Sequence, residues 1–242
     1  MYSYTKRHLS LDEQLELLIS RGLNVPNHLR AKQLLGEIGY YKVSGYSYPF
    51  RAISSVDNSG FVKRAEFFQP DVDFETIIKL YQFDSQLRVL LFQALANFEL
   101  NLRSFLAYEL GKIDPYFHLH RGNLDSRTSN KEHVNWMSFY YRDKDRSKTK
   151  DFVKHFDTRY GGEMPIWVAI EVMQFGTVKK LLELLSDREK SIVAERIGIN
   201  SKPLFQNLVT SFLDLRNQCS HLSIIWNAKH GPDLNSFERH WG

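Results

Sequence analysis

Residues 74–111, FETIIKLYQFDSQLRVLLFQALANFELNLRSFLAYELG, form the longest stretch of the chain in which apolar side chains return every three or four positions. Ile77, Tyr81, Leu87, Leu91, Ala94, Phe98, Leu102 and Phe105 trace one broad stripe at that spacing, and no proline interrupts it. Asp73 stands where an N-cap oxygen would meet the first free amides. The pattern predicts one long core helix ending at Gly111, and a protein built around such a helix is mainly α.

Upstream, Ser10 and Glu13 in SLDEQLELLISRGL have the spacing of a capping box, and Leu11, Leu15, Leu18 and Ile19 recur helically until Gly22. PNHLRAKQLLGEIG, from Pro26 to Gly39, reads as a second short helix. YYKVSGYSYPFRAI is aromatic and β-branched, and DNSG (57–60) separates it from FVKRAEFF, a pattern that fits a small β-ribbon or an irregular aromatic loop. The expected organisation is a helical and aromatic appendage (residues 1–70) packed on a helical bundle (residues 71–242), one globular unit overall.

Downstream, residues 114–162 turn polar, and YYRDKDRSKTKDFVKHF alternates Arg and Lys with Asp. The plain reading is a solvated loop leading into a short helix; an RNA-contacting arm using Lys144, Arg146, Lys148, Lys150 and Lys154 is the alternative. PIWVAIEVMQFGTVKKLLELL resumes helix after Pro165, with Gly176 as a kink or close-packing point, and DREKSIVAERIG adds another. A final helix is expected from Pro203 to Trp226, with Phe205, Leu208, Phe212, Leu215, Cys219, Leu222 and Trp226 on its core side at about 100° per residue.

With 242 residues, 43% of them hydrophobic and 14% aromatic, the chain can bury a sizeable core. The single cysteine, Cys219, excludes an intramolecular disulfide and a zinc site of paired thiolates. No apolar run reaches the ~20 residues of a membrane span, and MYSYTKRHLSLDEQ lacks a signal-type stretch, so a cytoplasmic protein without membrane contact is expected. A net charge of +4 leans slightly toward a polyanionic partner. No glycine-rich phosphate loop is present. His118, His120 and His133 have no matching carboxylate or HEXXH spacing, so neither a metal nor a cofactor is expected.

FLDLRNQCSHLSIIWN (212–227) sets an arginine, an asparagine and a histidine within six positions. On a helical wheel His221 and Asn217 share the face opposite the core stripe with Asp214 beside them, and Arg216 lies on the flank. Such residues are usually solvated. Their chemistry nevertheless suits phosphodiester cleavage without a metal: imidazole titrates near neutral pH, and guanidinium grips phosphate oxygens. One histidine does not conveniently serve as both acid and base, so a homodimer supplying two is expected.

RNQCSH resembles the motif of the HEPN superfamily of helical proteins, many of which are RNases. LDEQLELLISRGL, IGYYKVSGYSYPFR, PIWVAIEVMQFGTVKKL and RNQCSH followed by WN occur in the order of the Abi-like family, the AbiD and AbiF type abortive-infection proteins of bacteria. The resemblance spans roughly residues 6 to 230. It implies a HEPN-type helical bundle, action on RNA in phage defence, and for some members control by a bound noncoding RNA. Carried over by position, the motif falls on Arg216, Asn217 and His221 as catalytic residues. A second histidine and arginine frequent in the family are replaced here by Leu222 and Ile224.

Glu99 and Arg103, one turn apart in FELNLRSF, read as an intrahelical ion pair, or by resemblance as support for the motif, with Asp214 as a further supporting candidate. Asn97 and Asn101 are weaker ones. Tyr46 and Tyr48 could stack on unpaired bases or pack the appendage. Cys219 falls on the core stripe.

Overall fold

The computed structural model describes residues 7–58, 60 and 62–228. Among them are ten α-helices and one two-stranded sheet, so the protein is mainly α with a small β-ribbon. By contacts the chain divides into two compact units, one comprising Met1–Val89 with Ile224–Trp226, the other Leu90–Ser223 with Asn227–Gly242.

In the first unit, α1 (Leu11–Ser20) starts at the Ser10 capping box, with Ser10 Oγ accepting from the Glu13 amide and Glu13 accepting from the Ser10 amide. α2 (His28–Ile38) is capped by the Asn27 side chain and stops at Gly39, whose φ of 89° only glycine adopts freely. The aromatic stretch that suggested a strand begins instead as α3 (Tyr40–Ser47), and Pro49 lies in a single 3-10 turn after it. Strands follow as β1 (Arg51–Val56) and β2 (Val62–Phe68), antiparallel, with irregular register between Arg51↔Phe68 and Ser55↔Lys63. Leu18, Leu35, Val43, Tyr46, Phe74 and Ile77 make the core of this unit.

The long helix is α4 (Phe74–Ile113), and its residues from Leu90 onward belong to the second unit. There Leu95, Leu102, Leu106 and Leu110 are buried, whereas Ala94 is exposed, so the helix is turned relative to the stripe read from sequence. That turn brings the Glu99 side chain, 9% exposed, to the inward face.

The polar stretch 114–162 is a correction to the sequence reading, since most of it is helix: α5 (Asn130–Arg146) and α6 (Asp151–Arg159). Ser129 and Glu132 form a second capping box at the start of α5. Trp136 and Tyr140 anchor α5 in the core, and Val153 anchors α6. PIWVAIEVMQFGTVKKLLELL splits into α7 (Ile166–Ala169) and α8 (Phe175–Leu184), placing Gly176 in the first turn of α8 rather than at a kink. α9 (Asp187–Ile197) ends at Gly198, and α10 (Lys202–Ser220) closes the unit, burying Phe205, Val209 and Cys219.

The last helix stops six residues short of the expected end. His221 is its C-cap, Leu222 takes a left-handed φ of 54°, and the Ser223 amide donates back to the Gln218 carbonyl. Leu222 is accordingly 61% exposed rather than on the core stripe.

Candidate functional site

The site is built from the buried side of α4 outward. Glu99 and Arg103 are one helical turn apart, and Arg103 donates through both Nε and Nη2 to Glu99 Oε1. The remaining nitrogen, Nη1, donates to the carbonyls of Ile170 (2.6 Å) and Met173 (2.7 Å), in the segment joining α7 to α8. Arg103 therefore clamps that segment, which explains why a charged side chain faces inward.

The second oxygen of Glu99, Oε2, lies 3.4 Å from Arg216 Nε on α10. One nearly buried carboxylate thus sits between two guanidinium groups on different helices and offsets only one of their charges. Arg216 Nη1 also donates to Asn217 Oδ1 at 3.2 Å, so the asparagine orients the arginine. His221 takes its place from the end of α10: its amide donates to the Asn217 carbonyl at 2.9 Å, and its imidazole is exposed.

Arg216, Asn217 and His221 line one cleft of about 640 Å³ within the second unit. Arg103 lines it too, as do Arg146 at the end of α5 and Lys150 in the turn before α6. Two of the five basic residues singled out in the 144–154 segment thus share a cavity with the Arg–Asn–His motif. The other three do not line it. Lys144 Nζ donates to the Gly162 carbonyl and pairs with Asp157, Lys148 pairs with Asp145, and Lys154 lies 3.6 Å from Asp151.

Asp143 is a site residue that sequence reading missed. It is 1% exposed, and its Oδ2 accepts from the Gln174 amide (2.9 Å) and the Thr177 hydroxyl (2.5 Å). By that grip α5 holds the N-terminus of α8, whose Phe175 and Gly176 line the cleft. Asp143 Oδ1 has no hydrogen bond but lies 3.7 Å from Arg142 Nε and 4.0 Å from Arg146 Nη1. The carboxylate therefore helps hold Arg146 at the rim. The alternation of RDKDR gave no signal for it, because which charge turns inward is set by the packing of α8 on α5: Asp143 is buried and Lys144 largely so, while Arg142, Asp145 and Arg146 are exposed.

The remaining candidates lie elsewhere. Asp214 is exposed and does not line the cleft. Tyr46 is 1% exposed in the core of the first unit, its hydroxyl donating to Asp84 and accepting from Arg88 Nη1, so its ring has no face free to stack on a base. Tyr48, in the same unit, is exposed, with the Arg51 guanidinium 5.9 Å from its ring centre. Burial and the Asp84 carboxylate push the Tyr46 hydroxyl up to about 12.

The two histidines of YFHLHRG (116–122) differ in environment. His118 is fully buried, edge-on to Tyr140, with both ring nitrogens lacking a hydrogen bond. His133 is buried and bonded through Nε2 to the His118 carbonyl, while His120 is exposed beside Asp114. Among the described residues no group of three or more His, Cys, Asp or Glu could hold a metal ion, and no helix is long and apolar enough to cross a membrane.

Residues 33–227 match the family model described as Abi-like protein. Comparison with curated proteins and with solved structures gave no match.

Proposed function

Because the chain belongs to the Abi-like protein family, we propose that it serves bacterial abortive infection as a metal-independent endoribonuclease of the HEPN type, with Arg216, Asn217 and His221 at its centre. The observation that carries this reading is the cleft in which the three meet Arg103, Arg146 and Lys150. An excess of guanidinium and ammonium groups beside one exposed imidazole fits a phosphodiester backbone.

In the proposed reaction His221 takes the proton of a ribose 2′-hydroxyl, and the 2′-oxygen bonds to the adjacent phosphorus. Arg216, steadied by Glu99 and Asn217, offsets the charge that builds on the phosphoryl oxygens. The bond from phosphorus to the 5′-oxygen then breaks, leaving a 2′,3′-cyclic phosphate and a 5′-hydroxyl. The 5′-oxygen takes its proton from solvent or from His221 of a second copy. Rate against protein concentration, followed down to dilutions at which light scattering gives the monomer, separates the two: there a first-order dependence assigns the proton to solvent and a second-order one to a pair.

Purified protein incubated with RNA in excess EDTA is expected to cut and to leave those ends, and His221→Ala to lose about 10²–10⁴-fold in rate. Cutting abolished by chelation, or undiminished in His221→Ala, would overturn the assignment.

A second reading is favoured by Leu222 and Ile224, which occupy the places of the family's second histidine and arginine; Ile224 packs into the core of the first unit. It holds that the cleft binds a noncoding RNA without cutting it. Phage protection that survives the Arg216→Ala, His221→Ala double variant but not the loss of Arg146 and Lys150 would select it.

A further inference from the structure

Two carboxylates line the cleft that holds Arg216 and His221, and their surroundings are opposite. Asp143 is buried and accepts from the Gln174 amide and the Thr177 hydroxyl. Glu171 is exposed, on a ridge the cleft shares with the groove beside Trp167, and among the described residues no side chain or amide bonds to its carboxylate. Its backbone, by contrast, is firmly held. Residues 170–174 join α7 to α8, and Ile170, Val172 and Met173 among them are buried. Arg103 Nη1 donates to the carbonyls of Ile170 and Met173, and Asp143 takes the Gln174 amide. Two inward-facing charges thus fix a short segment whose exposed side chains, Glu171 and Gln174, both line the cleft.

A carboxylate only accepts hydrogen bonds, and so does a phosphodiester, so the backbone that the cations attract has nothing to offer Glu171. Unpaired bases do, on their Watson–Crick edges. Guanine alone sets two N–H donors side by side there, at N1 and N2, matching two carboxylate oxygens; adenine and cytosine offer one amine and uracil one ring N–H. Guanine O6, beside N1, accepts and suits the Gln174 amide. We propose that Glu171 and Gln174 read a guanine adjoining the phosphate held by Arg216, which makes them specificity-determining residues of the cleft. The inference rests on the reading of that cleft as an RNA site.

The test is fluorescence anisotropy with labelled uracil-rich hexanucleotides that carry one internal guanine, inosine, adenine, cytosine or uracil, bound to His221→Ala protein so that no strand is cut. The guanine strand is expected to bind at least about tenfold more tightly than the all-uracil strand, with inosine, which lacks the N2 amine, in between. Glu171→Gln has one acceptor instead of two and is expected to bind guanine no better than uracil, while holding the uracil strand as well as before or more tightly, a repelling charge having gone. A damaged fold would weaken both strands alike. Glu171→Asp, with the charge on a shorter stem, is expected to keep part of the preference. Equal binding of the five strands, another base ranked first, or a guanine preference intact in Glu171→Gln overturns the proposal. Cutting by the wild type without base preference sinks this inference and leaves the nuclease reading standing. Guanine preference without cutting does the reverse, and failure to bind any strand overturns both.

Discussion

At the scale of single residues the site turns on Glu99, an anion at the back of a cleft proposed to hold a polyanion. Its value lies in placement. Arg216 is a long side chain on an outer flank of α10, and unaided it would lose side-chain entropy each time it met a phosphate. The contact with Glu99 Oε2 and the bond to Asn217 pre-organise it. Glu99→Gln keeps the shape and removes the charge, leaving Arg103 its two carbonyl partners. The expected result is a fall of about tenfold in kcat with KM unchanged or lower, since the cleft becomes more positive while its arginine loses alignment. Steady-state cleavage of a short RNA measures both, and a rise in KM with kcat intact would mean that Glu99 serves binding alone.

His118 makes a second argument at this scale. Burial, and secondarily the neighbouring charge of His133, lowers its imidazole from an ordinary 6.5 to about 4; Asp114 opposes this and His120 adds to it. In the unfolded chain the ring protonates near 6.5, but in the folded protein only near 4. Between those values the unfolded state binds more protons, so stability falls as pH drops through the window and is fully present above it. Each tenfold drop in proton affinity corresponds to about 1.4 kcal/mol, which makes the loss on the order of 3 kcal/mol. His118→Leu, which removes two unpaired ring nitrogens, is expected to flatten that slope in urea titrations run between pH 7 and pH 4. An unchanged slope would place the effect in other groups.

At the scale of elements, sequence legibility tracks the strength of local signals. α1 is readable because its capping box and apolar spacing agree. α5 carries an equally good capping box at Ser129 and Glu132, yet its charged residues outnumber its apolar anchors, chiefly Trp136 and Tyr140 with Met137 packed beside them. The alternating charges of RDKDRSKTK conceal a helix end and a turn because tertiary contacts, not propensity, fix them. α10 reads as too long for a different reason. No glycine or proline marks its end, and the left-handed residue after His221 is a leucine, which costs roughly 1–2 kcal/mol in that conformation. Leu222→Gly would relieve that cost while giving up a mostly exposed side chain. The expected gain is about 1 kcal/mol in chemical denaturation, with cleavage by His221 retained because the cap geometry is preserved. A loss of stability would mean that the leucine contacts outweigh the backbone strain.

Across the whole molecule the charges say more by arrangement than by sum. The net +4 is unremarkable, and many surface cations are matched locally, as Lys148 is by Asp145 and Lys179 by Glu183. The motif itself is visible in RNQCSH; that Arg146 and Lys150 share its cleft is not, because chain folding over some seventy residues brings them there. Nor could spacing reveal Asp143, whose inward turn depends on α8 meeting α5. If the cleft follows an RNA backbone, each cation facing a phosphate releases a counterion, and for single strands the logarithm of the binding constant falls with the logarithm of salt by about 0.7 per contact. Replacing Arg146 and Lys150 together with glutamine is therefore expected to make the slope shallower by about 1.4 and to weaken binding most at low salt. Lys148→Gln, outside the cleft, should leave the slope as it was. Fluorescence anisotropy of a labelled single-stranded RNA with His221→Ala protein, which holds the strand without cutting it, gives the three slopes directly. Equal slopes for all three proteins would move the RNA path away from this cleft.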